Sequence, residues 1–239
     1  MALPSTIVLA DLTPGSMHMT SIMAQDFEVA YSAFARDFAS LVDVDSREVV
    51  PTFIHLIGYG LALGKQNVPV LENGRCAMVG FFIDPDGEWD DVNRQTCRRA
   101  LLSVRSFLPD APIDIPLYLV NISQEYEAVP SLSAAVDAIL NPDSTQNHVV
   151  NGADDNLHFS FKGGLMLGGG HLYDRWSNAP RMGTVRHRVS EAMDELVHAV
   201  MGGEYLAPKS ARLCMPRLVY QRLSKAASAI SDEIQRIDS

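Results

Sequence analysis

The groups that could do chemistry in this chain gather at the ends of its apolar runs. Thr6-Ile-Val-Leu-Ala10 closes on Asp11-Leu-Thr-Pro-Gly15, which places the Asp11 carboxylate where a strand gives way to a loop. Glu72 follows Val68-Pro-Val-Leu71 in the same way, and Asp84 and Asp86 follow the run that ends at Ile83. In open parallel sheets ligands sit beyond the carboxyl ends of the strands, so these exits are the first places to look for a site. Turn formation explains Glu72, Asp84 and Asp86 equally well, since Asp and Gly favour tight turns.

Two further clusters stand apart. Gly163-Gly-Leu-Met-Leu-Gly-Gly-Gly-His171 is the densest glycine region. Its backbone N–H groups suit a phosphate cradle. It fits neither a GxxxxGK[ST] nor a GxGxxG loop, and a hairpin or flexible lid is the simpler expectation. Beside it lie His171, Tyr173, Asp174, Arg175 and Trp176, where Trp176 could stack on a base and Arg175 could grip a phosphate. Of the seven histidines none forms HxH or HxxxH, so no sequence-local metal site is indicated. His55 lies in an apolar stretch that reads as helix, where a hydrogen-bonded core histidine is expected. No GxSxG elbow exists. The cysteines, Cys76, Cys97 and Cys214, are odd in number and lack CxxC spacing, which argues against a disulfide framework or a cysteine zinc site.

The elements that must position these groups alternate. After the first strand, a helix is predicted from Asp26 to about Leu41, with Phe27, Ala30, Tyr31, Phe34 and Phe38 at helical spacing. Phe53 to Lys65 is apolar nearly all round and reads as a buried helix. Val68–Leu71, Cys76–Ile83 and Ile115–Val120 read as strands, Pro116 favouring an edge or a strand start. Asp90–Leu108 and Leu132–Leu140 read as helices, and 141–156 as a polar loop. Thr184–Met201 and Pro216–Ile237 are two amphipathic helices separated by Gly202-Gly203 and Pro208. Strands interleaved with helices imply βα units. The expectation is a three-layer α/β domain over 1–183, with a mostly parallel, Rossmann- or flavodoxin-like sheet, and a helical C-terminal extension over 184–239. The two closing helices either cover the sheet or form a homo-oligomer contact.

Three of these pieces together, Ile7-Val-Leu-Ala-Asp-Leu-Thr13, Ile57-Gly-Tyr-Gly-Leu-Ala-Leu-Gly-Lys65 and Val68-Pro-Val70, resemble the nucleoside 2-deoxyribosyltransferase superfamily, with its nucleotide N-glycosidases and TIR-like relatives. The likeness covers roughly the first 75 residues. It implies a nucleoside or nucleotide ligand and hydrolysis or transfer at the N-glycosidic bond, by a carboxylate that stabilises or attacks an oxocarbenium-like sugar. Position 56, where the family carries its catalytic Glu, holds Leu56. The carboxylate the resemblance then offers is Glu28, in Asp26-Phe-Glu-Val-Ala-Tyr31, with Asp11 and Asp26 completing an acidic set and Tyr31 or Tyr59 donating to it. Glu72 would touch a ribose. Two alternatives stay open: Glu28 and Asp26 are first-turn carboxylates favoured by the helix dipole, and the domain senses a nucleotide without cleaving it. A third reading is an assembly subunit.

Composition bounds these readings. The chain has 239 residues, is 47% hydrophobic and 20% charged, and carries a net charge of −10. That mix suits a globular fold with a full core and excludes a general nucleic-acid binder, which must neutralise phosphates. No run reaches the 18 or so apolar residues of a membrane span, and the N-terminus lacks a basic segment before an apolar one. The expectation is a soluble cytoplasmic protein that needs no cofactor and takes a small-molecule nucleoside or nucleotide.

Overall fold

The computed structural model describes residues 3–13, 17–56, 76–84, 91–106, 115–123, 159–172, 183–223 and 225–226. The predicted strand Val68–Leu71, the helix Leu132–Leu140 and the loop 141–156 lie outside them. So do Tyr59, Glu72, Arg175 and Trp176.

Six parallel strands form one sheet: β1 (Thr6–Asp11), β2 (Thr52–Leu56), β3 (Cys76–Asp84), β4 (Ile115–Ser123), β5 (Phe159–Gly168) and β6 (Leu206–Arg212), in the order β2-β1-β3-β4-β5-β6. Helices cover both faces, so the α/β three-layer architecture expected from the strand–helix alternation is the one observed. Such strands are buried on both sides, which is why β1, β3 and β4 read as continuous apolar runs.

Alternation divides each strand between two cores. Ile7 and Leu9, Val79 and Phe81, and Tyr118 and Val120 face α1 (Met17–Val42) and α4 (His187–Gly202). Val8 and Ala10, Met78 and Phe82, and Leu117 and Leu119 face α3 (Asp91–Ser106). A short helix, α2 (Ser46–Val49), capped by Asp45, leads into β2. Each fully buried Leu or Phe in these cores contributes about 1.5–3 kcal/mol relative to exposure.

Helix α1 starts nine residues before the predicted Asp26. Thr20, Met23, Ala24 and Phe27 continue the buried stripe backwards at helical spacing, so the same face that packs later also packs here. Ala30, Ala35 and Ala39 keep the helix close to the sheet.

Three expectations are corrected. The segment predicted as the start of a Phe53–Lys65 helix is strand β2, running Thr52 to Leu56 beside β1. Short apolar runs fit strand or buried helix equally, and Thr-Phe-Ile-His-Leu also has the alternation that lets Phe53 and His55 face α1 while Leu56 joins the other core. The glycine-rich stretch is not a hairpin or lid as far as Gly168. It completes β5, a central strand. Its glycines serve close approach: a Cβ on Gly164 would meet the Leu119 carbonyl, and Gly163, at φ 94°, sits at a bulge facing the Leu206 carbonyl. Finally, the separator after α4 contains β6. Pro208 is tolerated there because β6 is an edge strand.

The helix predicted over Thr184–Met201 is α4, closed by Gly203 in the left-handed conformation. The buried Tyr118 hydroxyl donates to the carbonyls of Ala199 (3.0 Å) and Glu204 (2.7 Å), tying the end of α4 to β4. Burial, reinforced by the nearby Glu204 charge, pushes that phenol up to about 12. Residues 217–223 begin the last predicted helix.

Both α1 and α4 lie on one face, yet β1-α1-β2 and β5-α4-β6 step along the sheet in opposite directions. They therefore have opposite hands, and α3, on the other face, shares the hand of α1. Since crossovers are overwhelmingly right-handed, the β5-α4-β6 connection is the exception. Its consequence is local: the start of α4 lies against α1, and α3 is the only described helix on the opposite face.

Candidate functional site

Strand order reverses at β1. The chain steps from β1 to β2 on one side, then crosses back to β3 on the other, and such switch points open a crevice at the carboxyl edge. Asp11 ends β1 at this point. The loop after it is stitched to β3: Leu12 N–H donates to the Phe81 carbonyl at 2.9 Å, and Ile83 N–H donates to Thr13 Oγ1 at 2.7 Å.

Asp11 is nearly buried. Its Oδ1 accepts the Thr13 N–H at 2.9 Å, whereas Oδ2 is buried with no hydrogen-bond partner. Desolvation raises the pKa of this carboxyl, and the Thr13 N–H and Thr20 side chain oppose the rise. A buried acceptor left unmet costs about 1–3 kcal/mol. At a switch point, that oxygen is suited to a donor on a ligand.

Glu28 projects from α1 toward β2, where its Oε2 lies 2.7 Å from His55 Nε2. The two side chains are 38% and 35% exposed, open enough to meet a ligand. His55 pairs in register with Leu9, two residues before Asp11, and Phe53, Leu9, His55 and Asp11 share the α1 face by alternation. Strand spacing and rise put the Cα atoms of His55 and Asp11 about 8 Å apart. Side chains on α1 lean toward its N-terminus, which carries the Glu28 carboxylate back up toward this edge.

The predicted acidic set does not converge directly. Thr20, on α1, is the helix residue beside Asp11, and Glu28 follows it by about 12 Å along the axis. Asp26 lies on another flank of α1 and makes an ion pair with Arg186, which is 2% exposed at the start of α4. Burial pulls the Arg186 pKa down. Asp26 thus holds the two helices together. Tyr31 is fully buried between Phe27 and Phe53, with ring centroids 5.9 Å from each, and burial pushes its phenol well above the ordinary range. Its hydroxyl has no hydrogen-bond partner. It is a core residue beneath the Glu28–His55 pair.

The structure therefore brings Asp11 and Glu28 into one region only through a residue the sequence reading assigned to a helix core, His55. Thr13 and Thr20 were also missed. Thr13 lies two residues past Asp11, an ordinary Asx-turn spacing that could have flagged it. Nothing local marks His55 as the partner of a residue 27 positions earlier.

Among the described residues no group of three or more His, Cys, Asp or Glu is placed to hold a metal ion. Cys76 and Cys97 are buried free thiols, and burial pushes both up, away from the reactive thiolate. No described helix is long and apolar enough to cross a membrane. No family model, curated protein or solved structure matches the chain.

Proposed function

We propose that this protein takes a nucleoside or nucleotide over the carboxyl edge of β2, β1 and β3 and cleaves or transfers its N-glycosidic bond. The observation that carries this reading is the Glu28–His55 pair, 2.7 Å across and little more than a third exposed, with His55 one same-face step from Asp11 and its unmet oxygen.

Each group has a role suited to its surroundings. Asp11 accepts a hydrogen bond from a sugar hydroxyl, which fixes the ring and places negative charge near the carbon that becomes cationic. His55 passes a proton to the departing base nitrogen while the C–N bond breaks. Glu28, 2.7 Å from the imidazole nitrogen, orients the ring, as carboxylates do in Asp–His pairs. Water or an acceptor base then adds to the oxocarbenium carbon and returns a proton to His55, so the cycle closes.

A second reading uses the same site without turnover. Glu28 is engaged by His55, and the family's nucleophile position is Leu56, a buried apolar side chain. This favours a nucleotide-sensing module. One experiment separates the two: incubate the protein with a panel of nucleosides, nucleotides and NAD, follow free base by chromatography, and record melting shifts in parallel. Release of base that Glu28→Gln and His55→Ala abolish supports the enzyme. Melting shifts without release support the sensor. Neither signal from any member refutes both.

A further inference from the structure

The turn that carries Asp11 is held from the opposite face of the sheet. Pairing with β3 continues past the end of β1, through the Leu12 N–H on the Phe81 carbonyl and the Ile83 N–H on Thr13 Oγ1. Over this stretch the chain keeps the alternation of a strand, so Asp11 and Leu12 point to opposite faces. Asp11 is in register with Phe81 on the α1 face, beside Thr20. Leu12 enters the other core with Val8 and Ala10, and is 0% exposed.

Leu12 has a seat there. Gly80 on β3 lies in register between Ala10 on β1 and Leu119 on β4, both of which belong to the α3-face core. Gly80 is not among the glycines at positive φ, so this position uses a glycine for space and not for conformation. The Leu12 side chain fills that space: a Cβ on Gly80 would lie 2.6 Å from Leu12 Cδ1 and 3.2 Å from Leu119 Cδ1. Carbon atoms settle at about 3.5–4.0 Å, so a methyl group at position 80 and Leu12 in its present place exclude each other. The conflicting atom ends a side chain, but that side chain is fully buried in a close-packed core with little space to turn into. Relief comes by lifting Leu12 together with the turn it belongs to.

We infer that Leu12 and Gly80 are positioning residues of the ligand site: the leucine, locked into the glycine's notch on the α3 face, fixes the turn so that the unmet Asp11 oxygen is presented to a ligand on the α1 face. The inference rests on the reading of Asp11 given above. The link is the extended backbone, in which clamping one side chain sets the direction of its neighbour; a slip of one residue would send Asp11 into the core and Leu12 into the crevice. The Thr13 N–H, 2.9 Å from Oδ1, makes the carboxylate follow the turn.

The test follows the Asp11 carboxyl carbon by NMR titration in the wild type, Gly80→Ala, Leu12→Ala, Leu117→Ala and the double variant Gly80→Ala/Leu12→Val, with dissociation constants for adenosine alongside. Leu117→Ala opens a hole in the same core on β4 and gauges what lost packing does by itself. In Gly80→Ala and Leu12→Ala the Asp11 carboxyl should lose burial and titrate closer to 3.8 than in the wild type. Adenosine should bind about tenfold or more weaker to both. Leu117→Ala should lower stability and leave the Asp11 titration in place. The double variant moves one carbon from residue 12 to residue 80 and clears the δ-methyl conflict, so it should recover the wild-type titration and an affinity within about threefold. An Asp11 titration that stays put in Leu12→Ala, or in a folded Gly80→Ala, overturns the inference. So does one that Leu117→Ala moves equally, or one that the double variant does not restore. Absence of adenosine binding by the wild type counts against the nucleoside reading alone, and the titrations then still uphold or overturn the clamp.

Discussion

Asp11→Asn should make the protein more stable and less able to bind its ligand. The wild-type carboxylate keeps one oxygen on the Thr13 N–H at 2.9 Å and buries the other without a partner. Asparagine can keep the first contact through its own oxygen and removes the buried charge. Its amide nitrogen takes the place of the unmet oxygen but carries no charge, and relief of the buried charge is worth about 1 kcal/mol or somewhat more. For a chain of this length, about 1 kcal/mol corresponds to a rise of about 2–4 °C in Tm. The pH dependence carries a definite sign. Burial raises the folded-state pKa of Asp11 above its ordinary value of 3.8, so ionisation is harder in the folded state than in the unfolded one. Ionised Asp11 therefore destabilises the fold at pH values above its folded pKa. The penalty shrinks as pH falls through that value and is gone below 3.8, where both states are protonated. The gain of the variant over wild type should be constant near neutrality and should fade on acidification. Urea unfolding of both proteins at several pH values between pH 4 and 8 measures it. A variant less stable than wild type at pH 7, or a difference flat across the range, would refute the desolvation argument.

Further outcomes follow from packing and charge. Glu28→Gln should cost less than about 1 kcal/mol in stability, because the pair with His55 is substantially solvated, yet should lower base release by about a hundredfold; equal losses in both would make the pair structural. Asp26→Ala leaves the buried Arg186 charge without this partner and should cost about 2–3 kcal/mol in denaturant unfolding, more than Arg186→Met, which removes the charge and keeps the apolar bulk. Gly164→Ala sets a Cβ against the Leu119 carbonyl in the centre of the sheet and should destabilise by about 3 kcal/mol; a variant that unfolds like wild type would show that β4 and β5 can part locally.

The residues whose neighbours are close in the chain could be read directly. β1, β3 and β4 announce themselves by continuous apolar runs, and α1, α3 and α4 by stripes at helical spacing, because those patterns follow from periodicity alone. Asp11 was legible because it closes a strand, and Glu28 because it sits among helix formers. The failures share a cause. Thr52–Leu56 is short and apolar, so its identity as β2 depends on the β1 backbone waiting to pair with it. Gly163–Gly168 looks like a loop until Leu119 and Leu206 approach it closely, and Leu206–Arg212 becomes a strand only because an edge was open.

The site divides along the same line. The sequence by itself determined the architecture, the acidic end of the first strand, and which residues could carry charge. Tertiary structure decided which of them meet. His55 reaches Glu28, Asp26 turns to Arg186, and Asp11 is left with an unanswered oxygen. Those pairings arise where parallel strands and a long helix cross, between positions distant in the chain, and local propensity carries no record of them.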